Sequence, residues 1–533
     1  MRRILRTAST AILSLALGCG APPIDHAEGG RTRFVYPMRI EPSTLSFVSL
    51  DAYAVRVNRL IGDALIDHDA DLEVVPRLAR AWEFSPDGRV LTFHLRPGVR
   101  FHDGTPLSSA DVRFTYERVL DPECHAVGRL DAFLSVERVE APDPLTVRVT
   151  YRAPYAPALR AWEVPILPAH LYGGGGCADS PLNRAPIGSG PFRFLSWEAG
   201  QRIVLEANAD YWGGRPAIDQ FLFQIIPSQE TSLQALLAGE VDYSLLTPEQ
   251  WEAHGARASF ARRFATLRYT PLFHYYIAWR GDGSNRLFAD PAVRRALTLA
   301  LDRQGYVRSV LRGLGEVASS PFHPGVAGAG EALPTIPYDR AAAAALLDGA
   351  GWRLDPESGL RTSNGVPFRF ELLVYAGGRD HLQFSQVAQE NLREIGIDMT
   401  IQRLDWQALL TRLRSGDFQA ALSGVEPGLD PDSVYGMLHS SQIDGGQNYA
   451  ALRDDLVDRL LEEGRRTLDP AAREALYRRL AERVRELEPY SFLFYPAVEG
   501  ALARHVAGVQ ASPQGILGWY PGAGAFRIVP VGP

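Results

Sequence analysis

Lysine is absent from this 533-residue chain, and all 55 of its basic residues are arginine. A phosphate-cradling glycine loop that ends in lysine is therefore excluded. Cysteine is almost as scarce, with three residues and none in a metal-ligand spacing. The twelve histidines are scattered and form no HExxH. No GxSxG elbow exists; Gly188-Ser189-Gly190 stands in IGSGPF, where glycines and proline make a tight turn. Carboxylates are plentiful, but none stand out as a glycosidase-like pair. Past the N-terminus no run reaches the ~18 apolar residues of a membrane span, so the mature body is expected to be soluble. The net charge of −7 is spread along the chain without a basic face, which excludes a nucleic-acid partner. What is present is the composition of a globular protein, 46% apolar and 22% charged, long enough for about three domain-sized units. Size without recognisable catalytic chemistry points toward binding.

The N-terminus reads as an export signal: MRRILR supplies positive charge, TASTAILSLAL a short apolar core, and Ala16-Leu17-Gly18-Cys19 follows. Cys19 after small residues suggests lipid attachment, although Ala16 stands where lipoproteins usually have Leu, and Ala16-x-Gly18 also suits ordinary cleavage. CGAPPIDHAEGGR is then a flexible tether. Cys124 and Cys177 remain after export. An oxidising compartment favours a disulfide between them over two unrelated thiols.

Residues 100–112 read RFHDGTPLSSADV, with a His, two Asp and two Ser close together. Such a cluster is either a nucleophile with its base or the corner where a strand becomes a helix. The preceding WEFSPDGRVLTFHLRPGVRF is a hairpin pattern, with a Ser85–Gly88 turn and alternation from Val90 to Leu95. His102-Asp103-Gly104 makes a second turn, in which Gly supplies a positive φ and Asp bonds to the backbone. Pro106 stiffens the chain, and Ser108 with Asp111 resembles a capping box opening ADVRFTYERVL. Each polar residue has a backbone task, so a corner is expected and not catalysis.

FVYPMRI (34–40) is read as a first strand, followed by the helical spacing of DAYAVRVNRLIGDAL. IGSGPFRFLSWEAGQRIVLEAN (187–208) predicts two strands, YWGGRPAIDQFLFQIIP another, and SLQALLAGEVDY a helix ended by Gly239 with a short strand after it. Residues 290–313 are expected to be helical from a cap at Asp290 with Pro291 at N1. Between 368 and 426 the pattern is strand–helix–strand–helix–strand with short links, which implies parallel pairing and right-handed crossovers. Ligands bind beyond the carboxyl ends of such strands, which points at Ser423-Gly424-Val425-Glu426. Helices at roughly 453–465 and 470–487 alternate in charge, read as solvated faces, and SFLFYPAVEGALA opens a strand-rich tail.

In order along the chain stand VPRLARAWEFSPDG, TFHLRPGVRFHDGTPLSSADVRFTYERVLDP, GSGPFRF, NADYWGGRPAID, GEVDY, FADPAVRRALTLALDRQ and YDRAAAAALLDGAGW. Together they resemble the extracytoplasmic solute-binding proteins of family 5, the peptide- and nickel-type receptors of ABC transporters, from about residue 34 to 510. The resemblance implies an α/β, two-lobed periplasmic-binding-protein fold of class II type with an extra domain inserted in the first lobe. Its division would be 1–30 signal peptide and tether; 31–72, 186–272 and 490–533 lobe one; 73–185 inserted domain; and 273–489 lobe two. A Cys124–Cys177 bridge would staple the inserted domain internally.

It also implies a function: capture of peptides or peptide-like solutes between the lobes and delivery to an ABC permease in the membrane. No covalent chemistry, cofactor or metal is expected. The protein would be a monomer in the periplasm or on the outer face of a bacterial membrane, anchored through Cys19. The alternatives are a receptor for a metal chelate or oligosaccharide, or a sensory protein that presents its ligand. Peptide-binding relatives hold an extended ligand by main-chain bonds and pair a carboxylate with its free α-amine. The strand element matches Ser423-Gly424-Val425, and Trp406 falls where relatives carry a pocket-lining Trp. The amine-binding Asp, expected shortly before Asp430-Pro431, is missing. Pro427, Gly428 and Leu429 stand there, and Glu426 is the nearest acid. Arg39 and Glu41 after the first strand, and Tyr275 near the lobe crossing, complete the expected ligand set.

Overall fold

The chain begins its first sheet, leaves it on a long excursion, and comes back. The computed structural model describes residues 30–530 apart from 50, 125–132, 173–176, 178–179, 284–285, 327 and 331–332. The export segment and Cys19 lie outside the described residues. β1 (Arg33–Met38) leads to α1 (Ala52–Ile61), whose first turn is capped by Asp51 accepting from the Tyr53 and Ala54 N–H groups at 2.8 and 3.2 Å. The excursion carries the hairpin β2 (Ala79–Phe84) and β3 (Val90–Leu95), then α2 (Ser109–Leu120), then the hairpin β4 (Val136–Asp143) and β5 (Thr146–Tyr151). β6 (Phe192–Glu198), β7 (Arg202–Ala207) and β8 (Gln220–Ile225) return to the first sheet in the order β1-β8-β7-β6. α3 (Gln229–Ala238), β9 (Tyr243–Leu246) and β10 (Phe264–Tyr269) complete this part of the first lobe.

The second lobe runs from β11 (His274–Trp279) through α4 (Pro291–Ala300), α5 (Arg303–Ser309), β12 (Gly315–Val317) and β13 (Arg369–Tyr375). It continues with α6 (Arg379–Arg393), β14 (Asp398–Leu404), α7 (Trp406–Ser415), β15 (Ala420–Val425), α8 (Asp455–Arg466), α9 (Pro470–Leu487) and β16 (Tyr490–Pro496). These strands form one sheet in the order β12-β16-β11-β15-β13-β14. β13 pairs in parallel with both β14 and β15, as the alternating pattern demanded. β17 (Val498–Ala503) then re-enters the first lobe between β9 and β10.

Two segments cross between the lobes side by side. β10 pairs with β17 at Tyr269 and Val498, and their continuations β11 and β16 pair at Tyr275 and Phe494. The join is a two-stranded antiparallel ribbon, the natural geometry for a hinge. It also corrects the boundary at 490: β16 lies inside the second sheet, so the return falls between Pro496 and Val498. Residues 290–313 likewise divide. Asp302 interrupts the helix and caps α5, accepting from the Gly305 N–H at 2.7 Å.

Side chains on the second sheet alternate between two cores, as strand pleating requires. Tyr275, Ile277 and Trp279 of β11 join one apolar cluster, and Tyr276 and Ala278 join the other. The charged faces of α8 and α9 point outward, while Val457, Leu460, Leu461, Tyr477 and Leu480 fill the second cluster. In the first lobe a single cluster contains both Phe34 and Phe221 of the sheet and Phe93 and Trp162 of the excursion, so the excursion shares the lobe's core. Cys124 and Cys177 are disulfide-bonded within it.

The RFHDGTPLSSADV stretch is a corner. Gly104 has φ +89°, and the Ser108 N–H donates to Asp111 Oδ2 at 2.9 Å, the returning half of a capping box. The His102 ring lies 3.0 Å from the Gly190 carbonyl, and the His102 main-chain N–H donates to the Gly188 carbonyl at 2.8 Å. Those glycines are required by close approach, since a Cβ on either would meet the Ile61 carbonyl at the end of α1. Asp63, just beyond, accepts from Arg77 at 2.5 Å, Trp212 at 2.8 Å, Tyr211 at 3.2 Å and Ser189 at 3.3 Å. One buried carboxylate thus gathers the GSGPFRF and NADYWGG segments, which read in sequence as unrelated turns.

Candidate functional site

β15 is covered unequally by its neighbours. β11 pairs along all of it, from Ala420 to Val425, whereas β13 stops at Val374 opposite Leu422. From Ser423 onward one edge has no strand partner among the described residues, the kind of edge to which an extended chain can add as a strand. The carboxyl ends of β13 and β14 flank this edge with Tyr375 and Trp406, whose ring centroids are 5.6 Å apart at 74°. Trp406 opens α7 beside its cap Asp405, which accepts from the Ala408 N–H at 3.0 Å, and keeps 43% of its surface exposed. Ser423 is buried against Tyr276, and the Phe273 ring covers Gly424.

Glu426 follows the last residue of β15. It is exposed to water, and among the described residues it makes no hydrogen bond or ion pair. Burial nevertheless raises its carboxyl pKa, with the charge of Arg56 pulling the other way. A group that water reaches while protein encloses it lines a cleft. Arg56, whose charge acts on Glu426, comes from α1 of the other lobe. Ion pairs Arg379–Glu249 at 3.0 Å and Arg312–Glu252 at 3.2 Å join the lobes beside it.

The remaining expected residues separate from this group. The Glu41 carboxylate is occupied inside the first lobe, accepting from Trp197 Nε1 at 2.6 Å and the Gly200 N–H at 3.1 Å, so it holds the β6–β7 turn. Arg39 is exposed one residue beyond β1. Tyr275 is 9% exposed among Phe273, His381 and Phe494, and its hydroxyl donates to Asp380 at 3.2 Å. It packs the second lobe. Asp430 accepts two bonds from Arg473, at 2.8 and 2.5 Å, which leaves Glu426 as the acid at this edge without a cation bound to it. Among the described residues no group of three or more His, Cys, Asp or Glu could hold a metal ion.

Sequence reasoning missed Arg56 and the tyrosines around it. Its guanidinium carbon lies 5.7 Å from the ring centroids of both Tyr36 and Tyr53, and Tyr243 stacks on Tyr36 at 5.6 Å. Tyr53 and Arg56 are three residues apart on a helix, a faint signal; Tyr36 and Tyr243 come from strands that no spacing links.

The profile of the bacterial extracellular solute-binding proteins, family 5 (middle region), matches residues 73–446. Protein XP55 of Streptomyces lividans is 31% identical over 502 residues, covering 91% of this chain and 88% of its own length. The oligopeptide-binding protein AppA of Bacillus subtilis (strain 168) is 31% identical over 484 residues, 88% of this chain and 87% of its own. The structure of that AppA in complex with a nonapeptide superposes with a TM-score of 0.77 at 28% identity, covering 93% of this chain and 99% of that one. NikA of Brucella suis in complex with Fe(III)-EDTA superposes with a TM-score of 0.84 at 25% identity, covering 93% and 99%. The chain belongs to the bacterial extracellular solute-binding proteins of family 5. It is accordingly an extracytoplasmic solute receptor of an ABC importer, in a family that binds its solutes and does not turn them over.

Proposed function

We propose that the solute is a peptide or peptide-like molecule, added as a strand to the open edge of β15 at Ser423–Val425, with its α-amine on Glu426 and Trp406 walling a side-chain pocket. The observation that carries this reading is the placement of Glu426, an acid without a bonded partner among the described residues at the end of a half-open strand. Similarity to an oligopeptide-binding protein supports it. Similarity to a receptor holding Fe(III)-EDTA favours a chelate as the second reading. Residues 1–30 would be the export signal and tether, with Cys19 lipidated to keep the receptor near its permease; a diacylglycerol mass on the mature N-terminus checks this.

Native mass spectrometry of the purified protein distinguishes the solutes, by a retained peptide mass or a chelate mass. For a peptide, Glu426→Gln weakens binding by about 1.5–3 kcal/mol in calorimetry, the value of a charge-assisted bond. The acid works ionised and burial raises its pKa, so affinity falls on acidification from above the usual glutamate value of 4.5. Unchanged affinity in the variant removes Glu426 from the site.

A further inference from the structure

Arginine guanidinia buried in this protein are bonded. Arg77 meets Asp63 and Asp67, Arg294 and Arg303 meet main-chain carbonyls, and Arg361 meets carbonyls and Asp348. Arg56 is the exception. It lies in the middle of α1, partly buried between the rings of Tyr36 and Tyr53, and among the described residues it makes no hydrogen bond or ion pair. Its five N–H donors form a planar fork suited to a carboxylate. The aromatic faces hold the cation in place but accept none of those hydrogens in line. The phenols around it, Tyr36, Tyr53, Tyr243 and Tyr269, bring no formal negative charge at neutral pH. Glu426 of the other lobe is near enough for the charge of Arg56 to act on it, and no ion pair joins the two.

We infer that Arg56 anchors a carboxylate of the solute, so that the groove selects short zwitterionic molecules with an ammonium on Glu426 and a carboxylate on Arg56. The second half of this pairing rests on the amine-binding role proposed for Glu426; the first half stands on Arg56 alone. Such a solute would tie α1 to the end of β15 and so favour the closed lobes by its contacts to both.

Two probes test this on the full mature chain. Trialanine and its C-terminal amide are titrated by calorimetry into the wild type and Arg56→Met. Amidation should cost the wild type about tenfold or more in affinity and cost Arg56→Met little. N-acetylalanine, a carboxylate without an amine, is titrated in a thermal-shift assay, where the wild type should show a saturable rise in Tm and Arg56→Met none. Arg56→Lys should keep part of both effects, since charge remains without the fork. Met preserves the packing of the arginine stem, and the unliganded Tm of each variant shows whether it folds. If amidation costs both proteins equally, or N-acetylalanine shifts both or neither, the inference is overturned. If trialanine fails to bind while N-acetylalanine acts through Arg56, the carboxylate anchor stands and the peptide reading falls.

Discussion

In the first lobe the buried guanidinium of Arg77 meets opposite charge: Nε donates to Asp63 at 2.5 Å and Nη1 to Asp67, which Arg59 also reaches. In the second lobe the buried guanidinia of Arg303 and Arg294 meet main-chain dipoles. Arg303 donates to the carbonyls of Phe492 at 2.6 Å, Ala318 at 3.2 Å and Ile336, and Arg294 to those of Phe288, Ala289, Leu487 and Glu488. The titration of these groups follows. Burial alone would lower Arg77, but Asp63 and Asp67 outweigh it and raise its pKa; burial wins at Arg303, which falls to about 10. A paired carboxylate left alone is worse than a carbonyl left alone, because it must either stay charged without solvent or take up a proton above its usual pKa, whereas the carbonyl is neutral throughout. The first lobe is therefore held by a network that fails steeply, and the second by many weaker bonds.

The comparison breaks most readily at Arg77. Arg77→Ala leaves Asp63 without a cation and Asp67 with Arg59 alone, and should cost about 3–5 kcal/mol in denaturant unfolding, whereas Arg303→Met leaves neutral carbonyls at about 1–3 kcal/mol. Equal losses would show that the two strategies do not differ. The disulfide comes next. Cys124 and Cys177 are 53 residues apart, and replacing both with Ser should cost about 2–4 kcal/mol in the first lobe while the second unfolds as before. Local protection from hydrogen exchange reads the two lobes separately.

Acid provides the smallest and most selective test. In the second lobe burial lowers the pKa of His274 to about 3, and those of His323 and His381 to about 4; in the first, His102 falls to about 4. A base depressed in the folded state binds more protons when unfolded, so its contribution is full above about pH 6.5 and is lost as pH falls toward the folded value. His274, enclosed by Tyr276, Phe492, Tyr495 and His323, should lose about 2 kcal/mol between pH 7 and pH 5, a dependence that His274→Phe abolishes. Asp67 in the first lobe responds at lower pH. Burial would raise its pKa, but Arg59, Arg77 and His68 hold it below 3.8, so its contribution is lost only at lower pH still. The second lobe should therefore loosen first on mild acidification.

Local structure was legible wherever a residue's task is met by its own backbone neighbours. The caps at Asp290, Asp405 and Ser108 and the Gly239 terminus needed only spacing. The break at Asp302 was not legible, since apolar periodicity continues through it; its N–H donates to Asn391, distant in sequence, and its carboxylate caps the next helix at Gly305. Glu41 and Tyr275 misled for a related reason. Each is chemically suited to a ligand, and each is taken by a partner distant in sequence, Trp197 and Asp380. The strand end at Ser423–Glu426 was found because parallel strands expose their carboxyl ends by topology alone.

From the sequence alone follow the helices, the strands and the strand end before Glu426, because these depend on periodicity and local bonding that a short window contains, whereas the two-lobed class with its inserted domain follows from the resemblance to the family. Only the tertiary structure decides which charges remain free to meet a solute. Arg56 and Glu426 are unremarkable in their own segments, and the charge of one reaches the other because two lobes, joined by a ribbon at Tyr269–Val498 and Tyr275–Phe494, bring α1 near the end of β15.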